Sequence, residues 1–430
     1  MSETEAERKI FYFSAEIGLS SSIPTYSGGL GVLAGDHVKA AADKELPIVG
    51  ITLLYRHGQG IQRIDKAGDQ RERWNNFNPN GILKNEGCDF NLDIDGKDVI
   101  VQIWSKEVIG VKGNTTKVYF LDVGHEKNDQ SIQELGNRLY GGGTEIRIRQ
   151  EYILGFGGIK AIKSLNLWPI RGIHLNEGHT AFAALGLLEE GLTLEKIRKK
   201  MHFTTHTPVP AGHDVFEFER VRKVIGDEYT NFCSDFASNG KLSMSHLAIN
   251  VSQTCNAVSK LNAEVASEMF PTKKIVPITN GVHHLTWTSA PMAKLFDEEI
   301  PEWRVDPAKL NKVHNISNDS LFEAHLLAKK SLLRYANSMS GRGLSPDVLT
   351  ICFARRMVEY KRPNLILNNI ERLTEVCSNK VQFVFAGYAH PSNEEGKKII
   401  KELNQATEMF GEQINFVYLE NYSMWLGSKL

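Results

Sequence analysis

The stretch "KIFYFSAEIGLSSSIPTYSGGLGVLAGDHVKAAADKELPIVGITLLY", Lys9 to Tyr55, decides the fold. "KIFYFSA" reads as a strand, "GVLAGDHVKAAADK" as a helix and "PIVGITLLY" as a strand again. Glycine and proline punctuate the junctions. Strand, helix and strand in that order is the repeating unit of a parallel sheet.

Outward from this unit the pattern changes and then returns. Between residues 58 and 123, "FNLDIDGKDVIVQIW" and "TTKVYFLDV" alternate with period two around an Asp-Gly turn, predicting antiparallel hairpins in a β-rich insertion, expected as a flap over the sheet. Helix "EIRIRQEYILGFGGIKAIKSL", strand "GIHLN", helix "TAFAALGLLEEG", strand "MHFTT", helix "AVSKLNAEVASEM" and strand "KIVPIT" then complete a first α/β domain, residues 1–285. A polar, helix-forming region, residues 286–346, ends in "SMSGRGLSPD", whose Ser, Gly and Pro mark a linker. A second α/β domain, residues 347–430, has strands "VLTICFA", "VQFVFAG" and "INFVYLE", with helices around "NLILNNIERLTEV" and "NEEGKKIIKELNQATEMF". There is no internal repeat and no low-complexity tract.

Composition bounds the function. With 430 residues, 41% hydrophobic and 23% charged, the chain is long enough for two cores. Lys+Arg 50 against Asp+Glu 51 leaves a net charge of −1, so no overall basic field draws it to nucleic acid or an acidic membrane. Cys88, Cys233, Cys255, Cys352 and Cys377 are scattered and never form a C-x-x-C pair, which argues against a disulfide framework or thiolate metal cage. The start, "MSETEAERK", carries no apolar h-region and no later apolar run approaches bilayer length, so the expected location is the cytoplasm.

Ligands of open α/β sheets bind at the carboxyl ends of the strands, and the residues there are polar. The turn "YSGGLGVLAGDH" either brings backbone N–H groups to a phosphate at the following helix's positive end or serves only a tight strand-to-helix turn. "GIHL" leads into Asn176, Glu177, Gly178 and His179, and "MHFTT" into His206, Thr207 and Pro208. Each histidine is a structural residue or a site residue, and the shared crevice favours the second. His174, Glu177, His179, His206 and His213 also offer a metal set, but no H-E-x-x-H or comparable pair occurs, and no metal site is assigned. In "FARRMVEYKRP", Arg355 and Arg356 continue directly from a buried-type strand, and Lys361 and Arg362 sit where a helix is expected to begin. Such a cluster can hold one or two phosphates with help from the helix dipole. Asn280, in "PITNGVHHLTW", follows a strand near the expected domain boundary, and Trp287 offers a flat ring a stacking wall.

Taken together these stretches resemble the α-glucan (glycogen, starch, maltodextrin) phosphorylases, above all their shorter bacterial and archaeal form. "YFSAEIGLSSSIPTYSGGLGVLAGDHVKAAAD", "LYGGGTEIRIRQEYILG", "HLNEGHTAF", "FTTHTPVPAGHDVFE", "ITNGVHHLTW", "FARRMVEYKR" and "FAGYAHP" fall in that family's order. The resemblance implies two Rossmann-like domains facing each other across a cleft, the GT-B arrangement. It also implies transfer of a glucosyl unit from the non-reducing end of an α-1,4-glucan to inorganic phosphate, with pyridoxal 5′-phosphate acting through its phosphate group. It assigns Gly28 and Gly29 to the substrate phosphate, and His206 and Asn280 to the terminal glucose near its 6-hydroxyl. Glu177 and His179 line the pocket beside that sugar. Arg356 and Lys361 are assigned to the attacking or leaving phosphate, Arg355 and Tyr360 to the cofactor's phosphate and Trp287 to its ring.

The sequence departs from the family's pattern at three places. Asn262 stands where histidine is usual, and Tyr388 where lysine is usual. No "EASGTSGMK"-type motif, which carries the family's Schiff-base lysine, follows "FVYLENY", so no lysine is assigned to the cofactor. The expectation is a second domain that is incomplete, a chain inactive alone, and a complementing C-terminal fragment as partner; the resemblance also allows a homodimer. Two other readings stand beside it: a nucleotide-sugar glucosyltransferase of the glycogen-synthase kind, and a non-catalytic glucan-binding remnant.

Overall fold

The computed structural model of the protein describes residues 8–209, 212–411 and 413–430. The chain forms two compact units, Met1–Gln59 with Asn76–His283, and Gly60–Asn75 with His284–Leu430, and so passes between them three times.

The first unit is built on a mostly parallel sheet. Its strands run, from one edge, Ile275–Pro277, Thr254–Ala257, Met201–Thr205, Gly172–Asn176, Ile10–Ser14, Ile48–Leu53, Thr115–Asp122, Lys97–Ile109 and Lys84–Asn85. Ile10–Ser14 lies in the middle, parallel to both neighbours. Because successive strand residues point to opposite faces, Phe11 and Phe13 enter one core and Tyr12 the other, and all three are buried. Both faces are covered, as a parallel sheet requires. Helix Thr144–Ser164 packs on the Phe11 face through Ile148, Tyr152 and Ile159, and helix Gly29–Asp43 on the Tyr12 face through Ala34, Val38 and Ala42. Gly35 lets the second helix approach closely, since a Cβ there would lie 1.9 Å from the Gly18 carbonyl oxygen.

The hairpin expected around Asp95 and Gly96 forms, with Phe90–Ile94 antiparallel to Lys97–Ile109 and both turn residues at positive φ, 58° and 71°. Its setting differs from a flap. Lys97–Ile109 and Thr115–Asp122 extend the main sheet itself. The beginning of the insertion leaves this unit altogether: Ile61–Ile64 and Gln70–Arg73 form a hairpin that belongs to the second unit. A further strand, Thr254–Ala257, stands at the start of the helix expected from Ala257. That helix begins after Ser259, whose hydroxyl accepts the Asn262 N–H at 3.1 Å.

The second unit has a three-stranded parallel sheet in the order Leu349–Ala354, Val381–Ala386, Phe416–Leu419. Phe383, Phe385 and Phe416 face helix Glu394–Met409, while Val384, Ala386 and Val417 face helix Asn318–Ser340. Leu349–Ala354 is an edge strand with Leu349 and Ile351 exposed, so Arg355 and Arg356 do not follow a buried strand. Nor does a helix begin at Lys361. Glu359–Lys361 is a single 3₁₀ turn ended by Arg362 at φ 52°, and the expected helix over "NLILNNIERLTEV" is a 3₁₀ turn Leu365–Asn368 followed by α-helix Ile370–Cys377. Pro363 explains the break, because its ring excludes the helical conformation from the residue before it.

Candidate active site

The order of the first sheet reverses beside Ile10–Ser14. The chain adds Ile48–Leu53 and Thr115–Asp122 on one side, then returns to add Gly172–Asn176 and Met201–Thr205 on the other. At such a switch point the loops leaving neighbouring strands diverge and open a crevice. Register places Ser14 beside Asn176, and Asn176 beside Thr204.

A chain of hydrogen bonds crosses these strand ends. The Ser14 hydroxyl donates to the Glu16 carbonyl at 2.6 Å, the Asn176 amide donates to Ser14 Oγ at 3.0 Å, and His206 Nε2 pairs with Asn176 Oδ1 at 2.7 Å. With the amide's N–H₂ committed to Ser14, its oxygen can only accept, so the proton lies on His206 Nε2. Burial holds His206 below its ordinary pKa, outweighing the Glu177 charge, and the neutral ring leaves Nδ1 as an acceptor. Among the described residues Nδ1 has no hydrogen-bond partner.

Glu177 is the hub beside it. Its Oε2 accepts the N–H of His206 at 2.9 Å, the N–H of Thr207 at 3.0 Å and the Thr207 hydroxyl at 2.9 Å; its Oε1 accepts the Gly178 N–H at 3.2 Å. Burial alone would raise this carboxyl's pKa, but His206, His179 and the backbone donors hold it below the ordinary value, so it is ionised. Its backbone sits at φ 71°, ψ 169°, a conformation that costs a non-glycine residue about 1–3 kcal/mol and is kept here by that ring of donors.

His179 faces a second ionic group. Its Nε2 lies 3.4 Å from Asp214 Oδ2, which also receives Arg147 Nη2 at 2.6 Å. Burial and then Arg147 push His179 down to about 4, and its buried Nδ1 has no partner. Burial and the Asp214 charge hold the Glu151 carboxyl well above its usual range, against the pull of Arg147 at 3.2 Å, while Asp214 is held below its own.

The glycine-rich turn is organised by a carboxylate that pattern reading did not single out. Buried Glu16 accepts the Ser27 N–H at 2.7 Å, the Gly28 N–H at 3.2 Å and the Tyr140 hydroxyl at 2.7 Å. The Gly28 N–H is thus spent on Glu16, and the N–H groups with no intrahelical acceptor are those of the first helical turn, beginning at Gly29. A Cβ at Gly28 or Gly29 would meet nothing within 4 Å, whereas one at Gly31 would strike Glu16 at 2.6 Å. Packing requires glycine at 31 and leaves open space over 28 and 29. Asn280 is exposed, held through its N–H to the Val258 carbonyl at 3.0 Å, and no hydrogen bond joins it to the His206 group. Asn262, a departure from the expected histidine, reaches the His206 carbonyl at 3.5 Å.

In the second unit, Arg355 and Arg356 are exposed and take part in no ion pair among the described residues. Met357 anchors them: it is fully buried and its N–H donates to the Tyr388 carbonyl at 3.1 Å. Gly387 allows the two loops to touch, since a Cβ there would lie 2.1 Å from the Arg355 carbonyl oxygen. The Lys361 ammonium lies over the exposed Tyr360 ring, 4.9 Å from its centre. Trp287, in the short helix His284–Trp287, sits beside Gly427. Among the described residues no group of three or more His, Cys, Asp and Glu side chains is placed to hold a metal ion, and no helix is long and apolar enough to cross a membrane.

Glycine, histidine and carboxylate residues stand at the switch point of a large parallel sheet and a basic loop follows a second one, and comparison with known proteins names the class. The carbohydrate phosphorylase family model matches residues 214–430, and the chain belongs to that family. It is 36% identical to the maltodextrin phosphorylase of Thermococcus litoralis over 97% of this chain and 55% of that protein. It is 30% identical to the glycogen phosphorylase of Mycobacterium tuberculosis (96% of this chain, 55% of the relative) and 31% to that of Aquifex aeolicus (96% and 68%). The chain spans about half the length of the first of these relatives.

Proposed function

We propose that this chain supplies the glucan- and phosphate-binding residues of an α-1,4-glucan phosphorylase, which moves the terminal glucosyl unit of a maltodextrin or glycogen chain to inorganic phosphate with retention, giving glucose 1-phosphate. Family membership favours this over a nucleotide-sugar glucosyltransferase. The observation that carries it is the His206, Asn176, Ser14 relay: a neutral imidazole with its proton fixed on Nε2 presents Nδ1 as an acceptor for one sugar hydroxyl.

In this reading the chain has two Rossmann-like domains of the GT-B kind, residues 1–285 and 347–430 joined by 286–346, with the hairpin at 60–75 given over to the second unit. His206 and Asn280 orient the sugar near its 6-hydroxyl, and Glu177 and His179 shape the pocket wall. The first-turn N–H groups from Gly29, next to Gly28, meet the substrate phosphate at the helix N-terminus. Arg356 and Lys361 place cationic donors where charge develops on the phosphate beside an oxocarbenium-like centre.

The family uses pyridoxal 5′-phosphate. The residues fit its phosphate end: Arg355 is an exposed guanidinium on an anchored backbone, and the Tyr360 side chain is exposed. When bound, the cofactor's phosphate supplies a group that exchanges a proton with substrate phosphate; Arg355 and Tyr360 would hold that phosphate and Trp287 would flank the ring.

The test is binding followed by turnover. Calorimetry should show maltoheptaose binding to the 430-residue chain, weakened at least about tenfold by His206→Ala, a loss of about 1.4 kcal/mol. Glucose 1-phosphate is then assayed with maltodextrin, phosphate and pyridoxal 5′-phosphate, for the chain alone and with a polypeptide carrying an "EASGTSGMK"-type segment. A chain that binds neither glucan nor phosphate overturns the reading.

A further inference from the structure

The hairpin Ile61–Ile64 and Gln70–Arg73 comes from the first sixth of the sequence yet packs wholly within the second unit. Its inner face is polar. Gln62 and Gln70 are buried, and their side-chain bonds run to the hairpin itself, to the Tyr418 hydroxyl on the third strand at 3.3 Å and to loops at the carboxyl ends of the second sheet's strands. Gln70 grips Ala389 through both backbone groups: its Nε2 donates to the Ala389 carbonyl at 2.8 Å, and its Oε1 accepts the Ala389 N–H at 3.1 Å. Gln62 Nε2 donates to Gln70 Oε1 at 2.8 Å, and Gln62 Oε1 accepts the Asn421 N–H at 2.8 Å. Glu420 accepts the Ile64 N–H at 2.8 Å and pairs with Arg63. At the tip, Gly68 at φ 84° lies against Asn404, and Asp69 pairs with Lys401 at 3.1 Å.

The loop that Gln70 holds is the one that holds the arginines. Tyr388, next to Ala389, accepts the Met357 N–H, and Gly387 lies against the Arg355 carbonyl. A two-bond grip on a backbone unit fixes its position and its orientation at once, whereas a single bond leaves rotation. Two buried glutamines also carry a cost that hydrophobic packing would avoid, and such cost is repaid in a defined geometry.

We infer that the hairpin is a brace for the second unit's anion site, with Gln70 a positioning residue that acts through Ala389, Tyr388 and Met357 on Arg355 and Arg356. This rests on the reading above that the two arginines bind phosphate. It makes phosphate affinity depend on a residue that never touches phosphate.

The test uses the full chain, inorganic phosphate as probe and two readouts. Gln70→Met keeps the volume and removes both bonds to Ala389. It should weaken phosphate binding about three- to tenfold by calorimetry, and that loss should vanish when Arg356 is already alanine. Amide hydrogen exchange should quicken at Ala389 and Met357 while Val381–Ala386 stays protected. Should Gln70→Met fail to fold, Gln70→Glu, which keeps the acceptor for the Ala389 N–H, carries the same comparison. Unchanged affinity, or a loss that simply adds to that of Arg356→Ala, overturns the inference. If the unaltered chain binds no phosphate, the arginine reading fails, and the exchange result alone then decides whether the hairpin braces the loop.

Discussion

The two groups of candidate residues solve opposite electrostatic problems. In the first unit Glu177, His179 and His206 are sunk into the sheet's switch point, where burial and their neighbours together set the charge of each. In the second unit Arg355 and Arg356 stand in solvent on an anchored backbone, with no ion pair among the described residues. A neutral sugar is recognised by fixed donors and acceptors, which need burial and a rigid frame. An anion is recognised by unpaired charge, which burial would penalise. Stability and binding should therefore separate between the two regions.

The largest effect should come from Glu177→Ala, which strands three backbone donors and the Thr207 hydroxyl inside the protein. A loss of about 3–5 kcal/mol is expected in urea unfolding, with Glu177→Gln about half as costly. A change below about 1 kcal/mol would remove the contrast between the regions.

Next comes pH. Tyr12, His174 and His202 stand side by side on neighbouring strands, with His37 over them from the helix. Burial first, then the neighbouring histidines, hold His174 well below its ordinary 6.5 and His37 below it; burial holds His202 below it. The unfolded chain then binds more protons than the folded one below about pH 6.5, so this stability is present above that pH and lost as pH falls toward the folded values. The urea midpoint should drop between pH 7 and 5, and His174→Gln should flatten the slope. A midpoint that rises on acidification would contradict the buried, neutral assignment.

Arg356→Ala should do the reverse of Glu177→Ala: less than about 0.5 kcal/mol of stability, but about a tenfold loss of phosphate affinity, read by thermal melting and calorimetry on the same sample. The smallest effect belongs to Lys401→Ala at the hairpin tip, where both partners of the ion pair with Asp69 are partly exposed and the loss should stay under about 0.5 kcal/mol.

Much of this was legible in the sequence. Strands such as "KIFYFSA" and "VQFVFAG" carry their burial in their composition, and the residues that follow them were readable as site candidates because strand ends are where such sheets bind. Glu16 and Gln70 were not legible. A single glutamate after a strand or a glutamine in "QRER" has no periodic signature, and its role exists only once distant backbone donors converge on it. The helix expected at Lys361 does not form, because apolar "NLILNNI" fits helix and loop alike and Pro363 bars helical backbone from the residue before it.

By itself, the sequence determined the alternation of strands and helices, the two sheets and the family, because periodicity and local motifs are written residue by residue. Only the tertiary structure decided that the Gly28 N–H turns to Glu16, that the His206 proton sits on Nε2, and that a hairpin from residues 60–75 belongs with a sheet more than 270 residues later. Those facts rest on hydrogen bonds between residues far apart in the chain, and a donor cannot be matched to its acceptor until the fold has brought both to one place.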